Sequence, residues 1–478
     1  MRNIVLVSLC FICMTSCNRK PDVQWVVSTP EYSWKIQNSD SIEFAKGNKF
    51  DVEVDVANPL QTIDGFGSCF NELGWTSLSA LNEADREHIM KELFAPGVGA
   101  NFTICRMPLG ANDFSRDWYS YNETEGDFEM KNFSIANDRE TLIPFIKNAL
   151  KHNPDVRVWA SPWSPPTWMK ENKHYACRPL NDPYFDLSFS NGMRPEQERA
   201  EGLNMFIQND AYFKAYALYF ARFVEAYRKE NINIAMVMPQ NEFNSCQPFP
   251  SCTWTAAGLN TFVGKYLGPQ MQALGVELMF GTMERPNHLL VDTLLKDPQS
   301  SKYIKGVGFQ WAGKESIGAI HKNYPSMKLY QTEQECGNGK NDWRHCQYAW
   351  SLMKHYLRNG VNVYNYWNTS LEEGGMSRWG WRQNSLVTVN AKEKTYKFTC
   401  EYYLLKHLSH YVRGGAVFLP VSGTSDNVLA FKNADGSYVV VIYNEKNTRA
   451  KQTVKIGDSI ISVSLQPDSF NTIVIKSR

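Results

Sequence analysis

Eight short, β-prone apolar runs follow one another along the chain, each leading through a loop toward a helical pattern. This alternation constrains the fold more than any other feature. The runs are Thr62–Cys69, Asn101–Pro108, Val156–Trp163, Ile234–Glu242, Glu277–Glu284, Ile304–Trp311, Lys328–Glu333 and Val361–Asn368. Most lack polar alternation, as parallel strands covered on both faces require. Between them, in Asp210–Lys229, Phe213, Tyr216, Phe220, Phe223 and Tyr227 recur every three or four positions behind Asp210 as the predicted N-cap. Eight such alternations predict an α/β chain folded as a (β/α)₈ barrel. A doubly wound sheet would want fewer strands and a glycine-rich nucleotide turn, which the sequence lacks.

The ends read differently. Extended stretches occur within Trp25–Val56. After about Arg413 come hairpin-like runs at Val428–Lys432, Tyr438–Asn444, Gln452–Ile456, Ser459–Leu465 and Thr472–Lys476, punctuated by Asn433-Ala434-Asp435-Gly436 and Gly457-Asp458. The expectation is a β-sandwich of C-terminal strands completed by N-terminal ones and packed on the barrel. The predicted division is 1–16 leader, 23–57 N-terminal strands, 58–410 barrel and 411–478 sandwich. With 43% hydrophobic residues the chain has ample core, and 50 Lys+Arg against 49 Asp+Glu leave no basic excess. A nucleic-acid binder would show a basic patch, so that class is set aside.

Met1-Arg2-Asn3 gives a positive start, and Ile4–Met14 is too short an apolar run to span a bilayer, though it suits a signal peptide. Met14-Thr15-Ser16-Cys17 resembles the lipobox of bacterial lipoproteins. That resemblance implies removal of residues 1–16, a lipid on Cys17, and an exported protein held in the cell envelope by that anchor alone. Eight further cysteines have no CxxC pairing, and His345-Cys346 has no second cluster at zinc spacing. They are expected as structural thiols or a few bridges, with Cys246 and Cys252 able to close a short loop around Pro248 and Pro250. No metal or cofactor is expected.

In barrels the working residues sit at the C-terminal ends of strands. The fourth run ends Gln240-Asn241-Glu242 and the seventh ends Gln331-Thr332-Glu333. Strands four and seven face each other, so two carboxyls can flank one bond. Hydrolysis of a glycosidic bond with retention needs such a pair about 5 Å apart, one protonated and one ionised. Asn241 is suited to bind the sugar 2-hydroxyl, a contact that strengthens in the transition state. Glu335, two residues on, points the same way as Glu333 if the strand continues.

Five segments together resemble glycoside hydrolase family 30, the glucosylceramidase-like family. They are Gln61 to Gly67, Arg106 to Gly110 with Asp113-Phe114-Ser115, Ala160 to Lys170 (ASPWSPPTWMK), Asn241-Glu242, and Thr332-Glu333. The resemblance implies the same barrel-plus-sandwich layout. It assigns Glu242 as acid/base, Glu333 as nucleophile and Arg106 as the partner keeping the nucleophile ionised. Trp163 and Trp367 would line the sugar pocket. Two departures touch sugar recognition. Glu72 stands where the family has a hydroxyl-reading Asp, and Gln310-Trp311-Ala312 replaces His-Trp-Tyr.

The resemblance implies a carbohydrate substrate, with a β-glucoside favoured: glucosylceramide-type, aryl glucoside or β-1,6-glucan. The departures make a β-D-fucosidase or β-xylosidase the alternative. A non-catalytic carbohydrate-binding envelope protein is the alternative from another class, although both carboxylates are retained. No Gly-x-Ser-x-Gly elbow or His-Glu-x-x-His motif suggests other hydrolase chemistry.

Overall fold

A computed structural model of the protein describes residues 22–45 and 49–476. The predicted leader and Cys17 lie outside the described residues. Eight parallel strands close a barrel: β1 (Gly65–Cys69), β2 (Ile104–Pro108), β3 (Arg157–Ser161), β4 (Ile234–Val237), β5 (Glu277–Met283), β6 (Ile304–Gln310), β7 (Lys328–Glu333) and β8 (Val363–Asn368), with β8 paired to β1. Ile104, Trp159, Met236, Met238, Met279, Tyr330 and Val363 fill the interior as a packed plug. Glycine in β6 makes room for it, since a Cβ on Gly308 would lie 2.6 Å from Met238 Sδ. A larger apolar shell joins the outside of the strands to the surrounding helices.

Strand positions follow the sequence expectation, with trimmed ends. The largest difference is β4, which stops at Val237 rather than Glu242. Pro239 has no N–H to donate, and the next backbone donors turn aside: Asn241 N–H to Pro162 O at 2.7 Å, and Glu242 N–H to Thr282 Oγ1 at 2.9 Å. The helix Asp210–Lys229 buries all five predicted aromatics, but its N-cap is Asn209, whose side chain accepts from Ala211 N–H; Asp210 is the first helical residue.

Two sheets form the sandwich. One orders Val417–Leu419, Val428–Lys432, Tyr438–Asn444, Ser469–Ile475, Val23–Ser28 and Lys35–Ile36; the other orders Val421–Gly423, Val52–Val54, Ala450–Ile456, Ser459–Leu465 and Glu43–Ala45. N-terminal strands thus sit in both sheets. Trp25, Val27, Val54, Ile442, Ile461 and Ile473 pack between them. The helix Cys400–Ser409 links sandwich to barrel through His407, whose ring nitrogens meet Thr472 Oγ1 at 2.8 Å and Ser28 Oγ at 2.9 Å.

Burial pushes the His407 pKa down to about 3, so the ring is neutral in the fold. An unfolded histidine takes up its proton near pH 6.5. The unfolded state therefore binds more protons between those values, and stability falls as pH drops through that window. This residue should remove up to about 1.4 kcal/mol per pH unit. Urea unfolding between pH 7 and pH 5 should show that slope, and His407→Gln should flatten it; an unchanged slope would refute the assignment.

Candidate active site

At the C-terminal mouth of the barrel, the strand ends bring a set of polar side chains around one buried cation. Arg106 in β2 is fully buried. Its Nη1 donates to Glu333 Oε2 at 3.0 Å, Gln310 Oε1 at 3.2 Å and the Thr332 carbonyl at 3.3 Å. Its Nη2 donates to Asn241 Oδ1 at 2.7 Å and Ser161 Oγ at 2.8 Å. The guanidinium lies 4.3 Å from the Trp163 ring centre, 5.0 Å from Trp159 and 5.5 Å from Trp367.

Glu333 ends β7 and accepts three side-chain N–H groups: from Arg106, from Gln310 at 3.1 Å on Oε2, and from the Trp311 indole at 3.0 Å on Oε1. Burial pushes its carboxyl up, while Arg106, Trp311 and Gln310 all pull it back toward the ionised form. Glu242 lies in a different setting. Burial, followed by the charges of Glu284 and Glu333, drives its carboxyl well above the ordinary value. Its Oε1 accepts from Gln310 Nε2 at 3.0 Å, and its Oε2 is buried without a hydrogen-bond partner. Two acids share one site, both raised by burial, one drawn back toward the anion by a cation and the other pressed further toward its protonated form.

Gln310 joins them. Its carbonyl accepts from Arg106 and from Thr332 Oγ1 at 2.9 Å, which fixes the amide so that its nitrogen faces Glu242, Glu333 and Asn241 Oδ1. Asn241 has its carbonyl oxygen taken by Arg106, Gln310 and Thr282, leaving its NH₂ as the end with donors to spare. Glu242 and Trp311 both hold left-handed backbone, each at φ 47°. Non-glycine residues rarely adopt it, and it is a conformation that clusters at functional sites.

Trp163 and Trp367 stack with ring centres 5.3 Å apart, both almost fully buried. Beside them lies Asp113, quoted in the sequence motif but given no role there. It is buried, Oδ1 has no partner, and burial and then the Glu333 charge hold its carboxyl well above the ordinary range. Trp367 Nε1 is likewise buried and unpartnered. Glu284, immediately after β5, is the fourth carboxyl of the group, and the sequence reading gives it no role either. Its position at a strand end was the available signal.

Two expected sugar contacts are engaged by protein groups. Glu72 is not in this cluster. Its carboxylate accepts from Arg116 Nε at 3.0 Å, Asn137 Nδ2 at 2.9 Å and Thr141 Oγ1 at 3.2 Å, and from the Arg116 backbone at 3.1 Å, so both oxygens are engaged. Gln310 is at the centre, but its amide is committed to the two glutamates rather than free for a hydroxyl. Glu335 stands outside too, bound by Lys314 at 2.8 Å and the Tyr348 hydroxyl at 2.7 Å.

A cavity of about 800 Å³ opens beside the pair, lined by Trp311 and Glu284 together with Arg178, Asp182, Tyr184, Arg285, Trp381 and Arg382. Among the described residues no group of three or more His, Cys, Asp or Glu side chains is placed to hold a metal ion. The arrangement can protonate one atom and stabilise charge on its neighbour without one.

Comparison with known proteins agrees with this chemistry. Residues 63–180 and 196–412 match the glycosyl hydrolase family 30 TIM-barrel domain, and 415–473 match that family's β-sandwich domain. A Caenorhabditis elegans protein named "Putative glucosylceramidase 1" is 30% identical over 436 residues, covering 85% of this chain and 78% of the relative. Lysosomal acid glucosylceramidase of Mus musculus is 26% identical, over 84% of this chain and 78% of its own. Among solved structures, an endo-β1,6-glucanase superposes with TM-score 0.80 at 25% identity, covering 95% of this chain and all of that one. The chain belongs to glycosyl hydrolase family 30 and is an O-glycosyl hydrolase.

Proposed function

We propose that the protein hydrolyses β-linked glucosides with retention, forming a covalent glycosyl-enzyme on Glu333 while Glu242 acts first as acid and then as base. One observation carries this reading: the Gln310 amide nitrogen lies 3.0 Å from Glu242 Oε1 and 3.1 Å from Glu333 Oε2. Oxygens bridged by one nitrogen are closer than the roughly 6.5–9.5 Å that an inverting pair keeps for its water. Direct attack by one carboxylate is therefore supported over attack by a water held between them.

In the first step Glu333 attacks the anomeric carbon and the unpartnered Oε2 of Glu242 gives its proton to the departing oxygen. In the second, Glu242 takes a proton from water, and that water displaces Glu333. Arg106 transfers no proton; it holds Glu333 ionised and Asn241 oriented, with the Asn241 NH₂ turned to the 2-hydroxyl.

Glu333→Gln should lower turnover on every substrate by at least about 10⁴-fold, since no covalent intermediate can form. Glu242→Ala should spare the first step on nitrophenyl glycosides, slow the second, and regain rate with azide. The wild-type rate should be bell-shaped in pH, falling at low pH as Glu333 is protonated and at high pH as Glu242 ionises. On a substrate needing acid assistance, Glu242→Ala should lose the basic limb. Inversion at the anomeric carbon, seen by NMR, would reject the mechanism.

Glucose is favoured over 6-deoxy or pentose sugars for a structural reason. The two departures that argued against it, Glu72 and Gln310, are engaged by protein groups and do not act as free hydroxyl-readers. The wide cavity carries Arg178, Arg285 and Arg382 beside Tyr184 and Trp381. A wall of guanidinium groups and aromatic faces suits a hydroxylated glycan better than an acyl chain. The relatives' names include both glucosylceramidases and endo-1,6-β-D-glucanases, and this lining supports the glycan reading. kcat/KM should exceed that for glucosylceramide on β-1,6-gluco-oligosaccharides, and should favour nitrophenyl β-glucoside over β-fucoside and β-xyloside. A fucoside or xyloside preference above about tenfold, near 1.4 kcal/mol at the transition state, would overturn the glucose reading.

The lipobox-like Met14-Thr15-Ser16-Cys17 further supports an exported lipoprotein, tethered to the cell envelope at Cys17. Cys17→Ser should move the protein from the membrane to the soluble fraction. A mature N-terminus at Asn18 or later, found by mass spectrometry, would exclude the anchor.

A further inference from the structure

A cluster of thiols stands beside the cavity wall, in loops that the proposed chemistry does not use. Cys177 lies in the loop after β3, and Cys246 and Cys252 in the loop after β4. All three are buried thiols. The sequence spacing suggested that Cys246 would close a short loop with Cys252. The fold instead sets Cys246 beside Cys177, whose Sγ donates to Ser251 O at 3.3 Å, and the two sulfurs act on each other's ionisation. The Cys252 sulfur is directed to the neighbouring Thr253 carbonyl at 3.9 Å.

The backbone around the pair is already locked. Cys177 N–H donates to Gln247 O at 3.0 Å, and Arg178 Nε donates to Cys246 O at 3.0 Å. Arg199 bridges both sides, its N–H donating to Cys177 O at 3.1 Å and its carbonyl accepting from Cys246 Sγ at 3.1 Å. Arg178 and Gln247, each one residue from a cysteine of the pair, line the cavity beside the two glutamates.

A second observation concerns charge. Lys170 is fully buried, and its ammonium donates to Ser251 O at 2.6 Å, Tyr175 O at 2.9 Å, Ser164 Oγ at 3.2 Å and Ala176 O at 3.4 Å. Among the described ion pairs it has no carboxylate partner. Cys177 lies in its field. Burial alone would push the Cys177 thiol up, but the Cys246 S–H, the Lys170 ammonium and the Ser251 and Thr253 contacts outweigh it and hold the thiol below its ordinary value. The cation therefore favours a thiolate in the pair, with the remaining proton on Cys246.

We propose that Cys177 and Cys246 are a redox-active pair that closes to a disulfide by exchange with a low-molecular-weight disulfide, clamping the loops that carry Arg178 and Gln247 into the cavity wall. Cys246 is the member with measurable exposure, 7% against 0% for Cys177, so it meets the external disulfide. As Cys246 passes its proton to Cys177, its sulfur attacks one sulfur of the reagent, forming a mixed disulfide and expelling one thiolate. The Cys177 thiol gives that proton to the expelled thiolate, its sulfur attacks Cys246, and the second thiolate leaves. The pair, which starts as one thiolate and one thiol, loses two electrons and one proton, and the reagent becomes one thiol and one thiolate.

The full-length protein is incubated with oxidised glutathione, unfolded in the presence of an alkylating reagent, digested without reduction and mapped by mass spectrometry. A peptide joining Cys177 to Cys246 is expected. Closing the long chain segment between them should raise Tm by about 4 °C, reversibly with dithiothreitol. Cys252→Ser should leave the link and the shift in place, whereas Cys246→Ser should abolish both; if Cys246→Ser does not fold, the wild-type map decides alone. A Cys246–Cys252 link, or alkylation of both Cys177 and Cys246 after oxidation, would overturn the proposal.

Discussion

The Arg106 guanidinium is a full charge with no solvent contact, at the point where β2, β3, β6 and β7 converge. Removing such an ion from water costs several kcal/mol, and one opposing carboxylate seldom offsets that. Here the compensation is spread over Glu333, three neutral oxygen-bearing side chains, a backbone carbonyl and three indole faces. Each partner is thereby oriented. Glu333 is presented as an anion, Asn241 by its NH₂, and Gln310 with its nitrogen toward both acids. A buried ion pair is weak evidence for stability, but it is a strong positioning device when every remaining donor is matched.

From that cation follows the difference between the two glutamates. Both are buried at the same mouth, and burial raises both. Arg106 reaches Glu333 directly, whereas the charges that act most on Glu242 are carboxylates. The asymmetry depends on where one strand ends. Had β4 run on to Glu242, its side chain would have followed the strand's alternation. Pro239 and the left-handed Glu242 backbone instead swing it beneath Gln310.

The sequence revealed what periodicity and position control. Continuous apolar runs located all eight barrel strands, strand ends pointed to Glu242 and Glu333, and the family resemblance added Arg106 and Trp163. Hairpin-like runs such as Val428–Lys432 and Tyr438–Asn444, with the turn between them, located the sandwich strands. What it could not reveal were pairings across long sequence separation. Glu72 looks available until Arg116, Asn137 and Thr141 are folded around it. Gln310 looks like a substituted sugar contact until Arg106 fixes its amide. Cys246 looks like the partner of its sequence neighbour, although the fold brings Cys177 to it. In each case the residue type was legible, and its partner was decided by topology.

The pocket is under-satisfied in a way that bears on selectivity. Glu242 Oε2, Asp113 Oδ1 and Trp367 Nε1 are buried polar atoms without hydrogen-bond partners. Leaving such an atom unpaired costs about 1–3 kcal/mol each. Because Glu242 Oε2 carries the acid proton and Asp113, beside Trp367, is also held toward its protonated form, an apolar ligand would leave these buried polar groups unpaired. A flat sugar face can rest on the indoles while its hydroxyls supply the missing partners. Discrimination of that kind is strong, since an analogue lacking one hydroxyl leaves a buried group unmatched rather than merely losing a contact. The same barrel mouth that draws Glu333 toward the anion by surrounding it with donors thus leaves other buried groups that the hydroxyls of a glycan can pair.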